Sequence, residues 1–218
     1  MSTLGNNLMA QYYAQNQGLP FGYEAVEYLE STGTQYIDTV FVPNQDTSCQ
    51  CQWYISENNS RGGFFGASNG SAMSIGKSYG FNGTSNLWDN YNDDINTSIS
   101  IRSLSGKNLN INKNKNITTL SGDVSWSYTH EYTSFKTNPS LSLHIFNVNR
   151  PTIQKYSVSA KLKSYFKIFD DLTLVRNFIP CIRKSDGKPG LYDLCRSICP
   201  LTGTPFYIND GTGEFVTP

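Results

Sequence analysis

The sequence predicts an all-β protein built as a sandwich of two antiparallel sheets, with a short helical arm ahead of it. Three observations carry this. Aromatic residues make up 13% of the chain and charged residues only 16%, so the polar surface comes mainly from Asn, Ser, Thr and Gly, a mix that suits pleated faces joined by turns. Apolar and polar residues alternate over many short stretches separated by turn residues. At 218 residues the chain is long enough for one large β domain with a sizeable core. Jelly-roll connections are the expected closure.

The elements follow in order. Leu4, Leu8 and Tyr12 fall four apart, with Met9 and Tyr13 beside them, which predicts a short amphipathic helix with Ser2 or Thr3 as N-cap. A helix this short is marginal alone. It leans on this domain, on a second copy or on a larger assembly, or stays disordered until it docks. Gly18 to Gly22 reads as a linker, giving an arm over 1–22 and a sandwich over 23–218. YEAVEYLE and QYIDTVFV are two strands around a reversal at Ser31 to Thr34, and DTSCQCQWYISE alternates again.

Residues 58–86 are dense in Gly, Ser and Asn and predict short strands with wide loops. SISIRSLSGKNLNINK predicts a hairpin turning at Ser105-Gly106-Lys107. LSLHIFNV is a core strand. From Ser159 to Phe169, Ala160, Leu162, Ser164, Phe166 and Ile168 point one way and Lys161, Lys163, Tyr165 and Lys167 the other. Asp170-Asp171 turns into LTLVRNFIPCIR, KSDGK turns into GLYDL, and PFYINDGTGEF closes the chain.

EYLESTGTQYIDT, GGFFGA, SYFKIFDDLTLVRNFIPCIRKSDGKPGLYD and NDGTGEF together resemble the concanavalin A-like, laminin G-like jelly-roll modules of phage virion proteins and gut bacterial surface proteins. The resemblance spans roughly residues 23 to 215. It implies a sandwich whose first and last strands are neighbours. The stretch CRSICPLTGTPF is longer than the simple turn such modules carry there. By the same resemblance FIPCIRKSDGKPGLYD is a strand, a charged hairpin and the next strand, with Asp186-Gly187 at the turn, Arg183, Lys184 and Lys188 as its flanks and Cys181 a packed thiol.

Lys plus Arg and Asp plus Glu are both 17, so no net field draws the chain to nucleic acid or to an anionic membrane. No stretch is long and apolar enough to span a bilayer, and no export signal opens the sequence. The five cysteines suit reduced thiols. Cys49 and Cys51 share a strand face and Cys195 and Cys199 a loop, so four thiolates around zinc is the alternative to small half-buried residues.

Glu24, Glu27 and Glu30 lack the alternate spacing that puts catalytic carboxylates on one face of a strand. Of the two histidines, His130 lies in a polar stretch and His144 in a core strand, and a Cys181–His144 pair is the sole nucleophilic arrangement to weigh. The best binding candidate is LWDNYNDD, read as a loop. There Trp88 and Tyr91 can stack on a sugar while Asp89, Asn90, Asn92 and Asp93 bond hydroxyls or hold calcium; a solvated turn with one aromatic anchored in the core is the other reading. Tyr79, Trp126 and Tyr128 are weaker candidates of the same kind, and no cofactor is expected.

These features give the expectation of a non-enzymatic structural module of a tailed-phage virion, assembled in the host cytoplasm as a homo-oligomer. The arm at Leu4, Leu8, Met9, Tyr12 and Tyr13 docks it to other virion proteins, and host glycans are a further partner. A carbohydrate-binding adhesin is the alternative, and a polysaccharide-cleaving enzyme a third.

Overall fold

The computed structural model describes residues 17–56, 62–68, 73–79, 85–92, 94–135, 138–151 and 157–218. The expected helix, with Leu4, Leu8, Met9, Tyr12 and Tyr13, lies outside the described residues. The strands are β1 (Tyr23–Ala25), β2 (Tyr28–Thr32), β3 (Ile37–Asp38), β4 (Thr47–Ile55), β5 (Gly62–Gly66), β6 (Met73–Tyr79), β7 (Ser85–Tyr91) and β8 (Asp94–Ser100). They continue as β9 (Lys107–Asn114), β10 (Ile117–Gly122), β11 (Trp126–Thr129), β12 (His144–Ile145), β13 (Ser159–Asp170), β14 (Thr173–Arg183), β15 (Lys188–Asp193) and β16 (Phe206–Tyr207). Among the described residues no helix is long and apolar enough to cross a membrane.

Two antiparallel sheets form. One runs β11-β10-β9-β4-β13-β14-β15-β16, with β2 paired to the first half of β13 and β1 to the second half of β14. The other runs β3-β12-β5-β6-β7-β8. Their inner faces meet through aromatic rings: Trp53 of β4 lies 5.2 Å from Phe64 of β5 and 5.1 Å from Phe146, and Phe166 of β13 lies 5.1 Å from Phe65. All five are fully buried, and each contributes about 1.5–3 kcal/mol through burial.

The alternation of β13 is realised: Ala160, Leu162, Phe166 and Ile168 are buried on the inner face. Ser164 and Tyr165 are two extra residues between the pairs Lys163↔Gln52 and Phe166↔Cys51, with Ser164 at φ 54°. Because two residues are inserted, the alternation keeps its phase, and Tyr165 packs on the outer face against a second apolar cluster of Leu19, Ile179, Cys181, Tyr192 and Phe206. Leu19 is fully buried there, so the chain joins the domain ahead of residue 23 and residues 19–22 are not a free linker.

Two expected hairpins are instead crossings between sheets. β2 pairs with β13 while β3 pairs with β12 in the other sheet. The turn between them is fixed by Gln35, whose carbonyl oxygens accept from the Ser31 hydroxyl (3.1 Å) and the Thr32 N–H (2.8 Å). Likewise a single 3-10 turn, Ile101–Leu104, carries the chain from β8 in one sheet to β9 in the other. Leu104 is buried and anchors that crossing. Hairpins do form at β7–β8, β9–β10, β10–β11, β13–β14 and β14–β15, among others. At β14–β15, Arg183 grips Asp186 through two bonds of 3.0 and 2.6 Å, which pairs one cation of the charged tip with its aspartate.

Charge also enters the sandwich, on both inner faces. Lys113 of β9 points into the sandwich, where its Nζ donates to Asp89 Oδ1 of β7 at 2.6 Å and to Thr118 Oγ1 of β10 at 3.0 Å. His130 Nε2 stands 2.9 Å from the other oxygen, Asp89 Oδ2. Lys113 and Asp89 are both 0% exposed. Burial alone would raise the Asp89 pKa, but the Lys113 charge and hydrogen bonds from His130, Lys113 and Thr118 outweigh it and hold it at about 2.

Removing one partner strands a buried charge, so Asp89→Ala is expected to lose about 3–5 kcal/mol in urea unfolding, while Asp89→Leu with Lys113→Met recovers most of it. Because the folded pKa lies below the unfolded one, this contribution is present above about pH 4 and is lost as pH falls through about 2. An acid titration followed by circular dichroism measures that loss, and it is absent from the double variant.

Candidate functional site

The chain's first and last recognisable motifs lie side by side. Glu30 and Val216 exchange both backbone hydrogen bonds, at 2.8 and 3.0 Å. Further along, the Tyr36 N–H donates to Asn209 Oδ1 (3.0 Å) and the Asp210 N–H donates back to the Tyr36 carbonyl (2.9 Å). The Asp38 N–H then donates to Asp210 Oδ2 at 2.9 Å. Gly211 sits so close that an added Cβ would strike the Thr34 carbonyl, which is why a glycine stands there. This seam delivers two carboxylates to one place.

Asp38 and Asp210 line a cleft of about 140 Å³, whose other walls are Val40, Cys199, Pro200 and Leu201. Asp210 is half-buried; burial, then the like charge of Asp38, raises its pKa against the pull of the Asp38 N–H. Behind Asp38 stands His144 of β12, its Nε2 3.8 Å from Asp38 Oδ2 and its ring stacked on Tyr36 at 4.8 Å. Asn147 Nδ2 donates to His144 Nδ1 at 3.3 Å, leaving the proton on Nε2, toward Asp38. Burial lowers the His144 pKa to about 4 although Asp38 pulls it up, so the ring is neutral near pH 7. Burial and the charges of Asp210 and Asp38 raise the Tyr36 pKa.

The backbone here is strained. Val40 sits at φ 59°, and Phe146, one residue past β12, at φ 67°. A β-branched or bulky side chain rarely takes that conformation, and each such residue costs about 1–3 kcal/mol that the surroundings must hold in place. Val40 is held by its N–H on Asp38 Oδ1 (2.8 Å), and Thr39 by the Leu143 carbonyl, which accepts from its N–H (3.1 Å) and its hydroxyl (2.6 Å). Strain of this kind gathers at ligand sites. The cleft thus holds two carboxyls in unlike surroundings and a strained valine, with a neutral imidazole behind one of the carboxyls; perturbed titratable groups gathered in a cleft mark a candidate site.

The residues expected to bind sugar are elsewhere. LWDNYNDD is not a loop: Leu87 to Tyr91 lie on β7, because Leu87 and Tyr91 feed the core and Asp89 meets Lys113. Trp88 is 9% exposed, with Arg150 over its ring at 5.6 Å, and Tyr91 is buried with its hydroxyl donating to the Gln45 carbonyl at 2.7 Å. Asn90 is buried and Asn92, at φ 64°, makes the turn into β8. Asp93 lies outside the described residues. No face of this group is open to stack on a sugar, and Asp89 is committed to Lys113 and His130. His130, read as part of a polar stretch, is buried. Trp126 and Tyr128 stack on each other at 6.0 Å on the edge strand β11.

The thiols do not form a centre. Cys49, Cys51, Cys181 and Cys199 are buried, Cys195 is exposed, and all are free. Burial pushes Cys49, Cys51 and Cys181 well above the ordinary thiol range. Among the described residues no three His, Cys, Asp or Glu side chains converge to hold a metal. His144 turns toward Asp38 and Asn147.

No protein-family model matches the chain and no curated protein matches it. Among solved structures, it is similar to that of scytalido-glutamic peptidase with a transition state analog inhibitor, at 12% identity over 84% of this chain and 98% of that one, with a TM-score of 0.35. So loose a likeness transfers neither that protein's site nor its substrate. The cleft at Asp38 and Asp210 gathers acidic groups that the expected non-enzymatic virion module did not include, and on that geometry the expectation is set aside.

The depressed His144 pKa has a consequence for stability. The unfolded imidazole takes its proton near pH 6.5 while the folded one resists until about 4. Stability is therefore full above about pH 6.5 and falls as pH drops toward 4. Thermal unfolding across that range is expected to show a decline in Tm that His144→Gln flattens.

Proposed function

We propose that this chain is a carboxyl-dependent hydrolase whose centre is the pair Asp38 and Asp210, and that it cleaves an amide or ester carbonyl. The observation that carries this is the convergence of the two carboxyls in one cleft beside neutral His144. Asp210 holds its proton to a higher pH than an ordinary carboxyl. With Oδ2 accepting the Asp38 N–H, Oδ1 carries that proton toward the cleft. Pairs of carboxyls whose surroundings hold one protonated and one ionised divide the roles of acid and base in this way.

Ionised Asp38 takes a proton from a water molecule, whose oxygen bonds to the carbonyl carbon as Asp210 gives its proton to the carbonyl oxygen. The carbon–oxygen double bond then re-forms, returning that proton to Asp210. The bond to the leaving nitrogen or oxygen breaks, and that atom takes the proton from Asp38. His144 acts as a positioning residue: its Nε2–H faces Asp38 and its stacking on Tyr36 fixes the strand that carries it. The sandwich is read as the concanavalin A-like jelly roll that the sequence motifs resemble, a reading supported by the adjoining first and last motifs.

Assays of fluorogenic peptide and ester panels from about pH 3 to about pH 8 test this. Activity is expected on the acidic side, with a fall at higher pH as Asp210 loses its proton, at a pH above the usual carboxylate range. Asp38→Asn and Asp210→Asn are each expected to lower kcat/KM by about 10²–10⁴-fold with the fold retained by circular dichroism. His144→Gln is expected to lower kcat while leaving KM near its original value. Absence of turnover on every substrate, or activity indifferent to both aspartates, overturns the proposal.

A further inference from the structure

The loop from Cys195 to Phe206 is built firmly yet points apolar side chains at water. Its base is Asp193, whose Oδ1 accepts from the Asn177 and Cys195 N–H groups (2.8 and 3.0 Å) and whose Oδ2 accepts from the Ser197 N–H (3.2 Å) and the Ser197 hydroxyl. Farther on, the Cys199 carbonyl accepts from the Gly203 N–H at 2.9 Å and Thr202 Oγ1 donates to the Phe206 carbonyl at 2.6 Å. Arg176 links this base to the carboxyl site, with Nε 3.9 Å from Asp193 Oδ2 and 3.4 Å from the Thr39 carbonyl. Held in this frame, Ile198 is 57% and Leu201 58% exposed.

A hairpin of this order has no need to hold two aliphatic side chains in water, and apolar surface on a polar rim marks a ligand groove. Leu201 and Pro200 form one side of the Asp38–Asp210 cleft and Val40, 43% exposed, another. Among the described residues that line it there is neither lysine nor arginine, and Asp38 and Asp210 repel a substrate carboxylate. The cleft's 140 Å³ equals the share of about four to five water molecules, which is room for one medium aliphatic side chain next to a carbonyl.

We propose that Leu201, Pro200 and Val40 form the specificity wall of the site, and that the substrate is an internal stretch of peptide with an aliphatic side chain beside the bond cleaved. This rests on the hydrolase reading for its bond but not for its binding.

The test is accordingly made by binding, on the full chain with Asp210→Asn so that nothing is cleaved. Two capped pentapeptides, one with a central leucine among glycines and one of glycine alone, are titrated while the methyl signals of Val40 and Leu201 are followed by NMR. The leucine peptide is expected to bind at least about ten-fold more tightly, shifting both methyl signals, and Leu201→Ser to remove the difference. Leu172→Ser, at a residue 90% exposed in the β13–β14 turn, is expected to leave it unchanged. Equal affinity of the two peptides, shifts confined to other residues, or a preference that survives Leu201→Ser overturns the wall. If the preference holds but the unsubstituted chain cleaves neither peptide, the hydrolase reading falls while the wall stands; turnover without preference gives the reverse.

Discussion

Everything at the site depends on one short contact, the hydrogen bond from the Asp38 N–H to the Asp210 carboxylate. It fixes β3 against the closing segment of the chain and sets two carboxyls at the same spot. Beside it Asn209 Oδ1 accepts from the N–H groups of Tyr36 and Gly211, which holds the same two stretches of backbone together. A carboxylate that accepts a backbone donor would ordinarily ionise more readily. Here burial and the neighbouring Asp38 charge prevail, and Asp210 leans the other way.

The sandwich uses buried charge in two opposite manners. Asp89 is matched on both oxygens by Lys113 and His130, is driven toward full ionisation, and ties one sheet to the other. Such a group serves architecture: its partners hold its carboxyl well below the usual carboxylate range. Asp210 is only half-buried, is matched on one oxygen by a neutral donor, and faces a cleft. The contrast separates a structural carboxylate from one free to exchange a proton, and rests on partners and access rather than on burial itself.

Much of the fold was legible because pleated strands with one wet face announce themselves. β13 alternates cleanly except at Ser164 and Tyr165, where an inserted pair shifts register in a way no periodicity records. β7 was misread because Asp89, on its inner face between Leu87 and Tyr91, resembles a loop residue until Lys113 and His130, 24 and 41 positions away, come to meet it. The two crossings at β2–β3 and β8–β9 have the turn residues of hairpins, and only the partner strands reveal that the chain changes sheets. At the site, both motifs carrying the aspartates were recognised, yet as marks of fold. Asp38 and Asp210 are 172 positions apart, so a search for carboxylates at strand spacing passed over them. The resemblance implied that first and last strands adjoin, and following each motif to its acidic residue was the signal that would have paired them.

The seam also orders events during synthesis. A chain synthesised as far as residue 208 contains Tyr36, Asp38 and His144 but neither Asn209 nor Asp210. Most of the sandwich sequence is therefore made before the partner carboxyl of Asp38 exists. Half-built copies carry no Asp38–Asp210 pair, and the cleft between them forms only once the closing segment is in place.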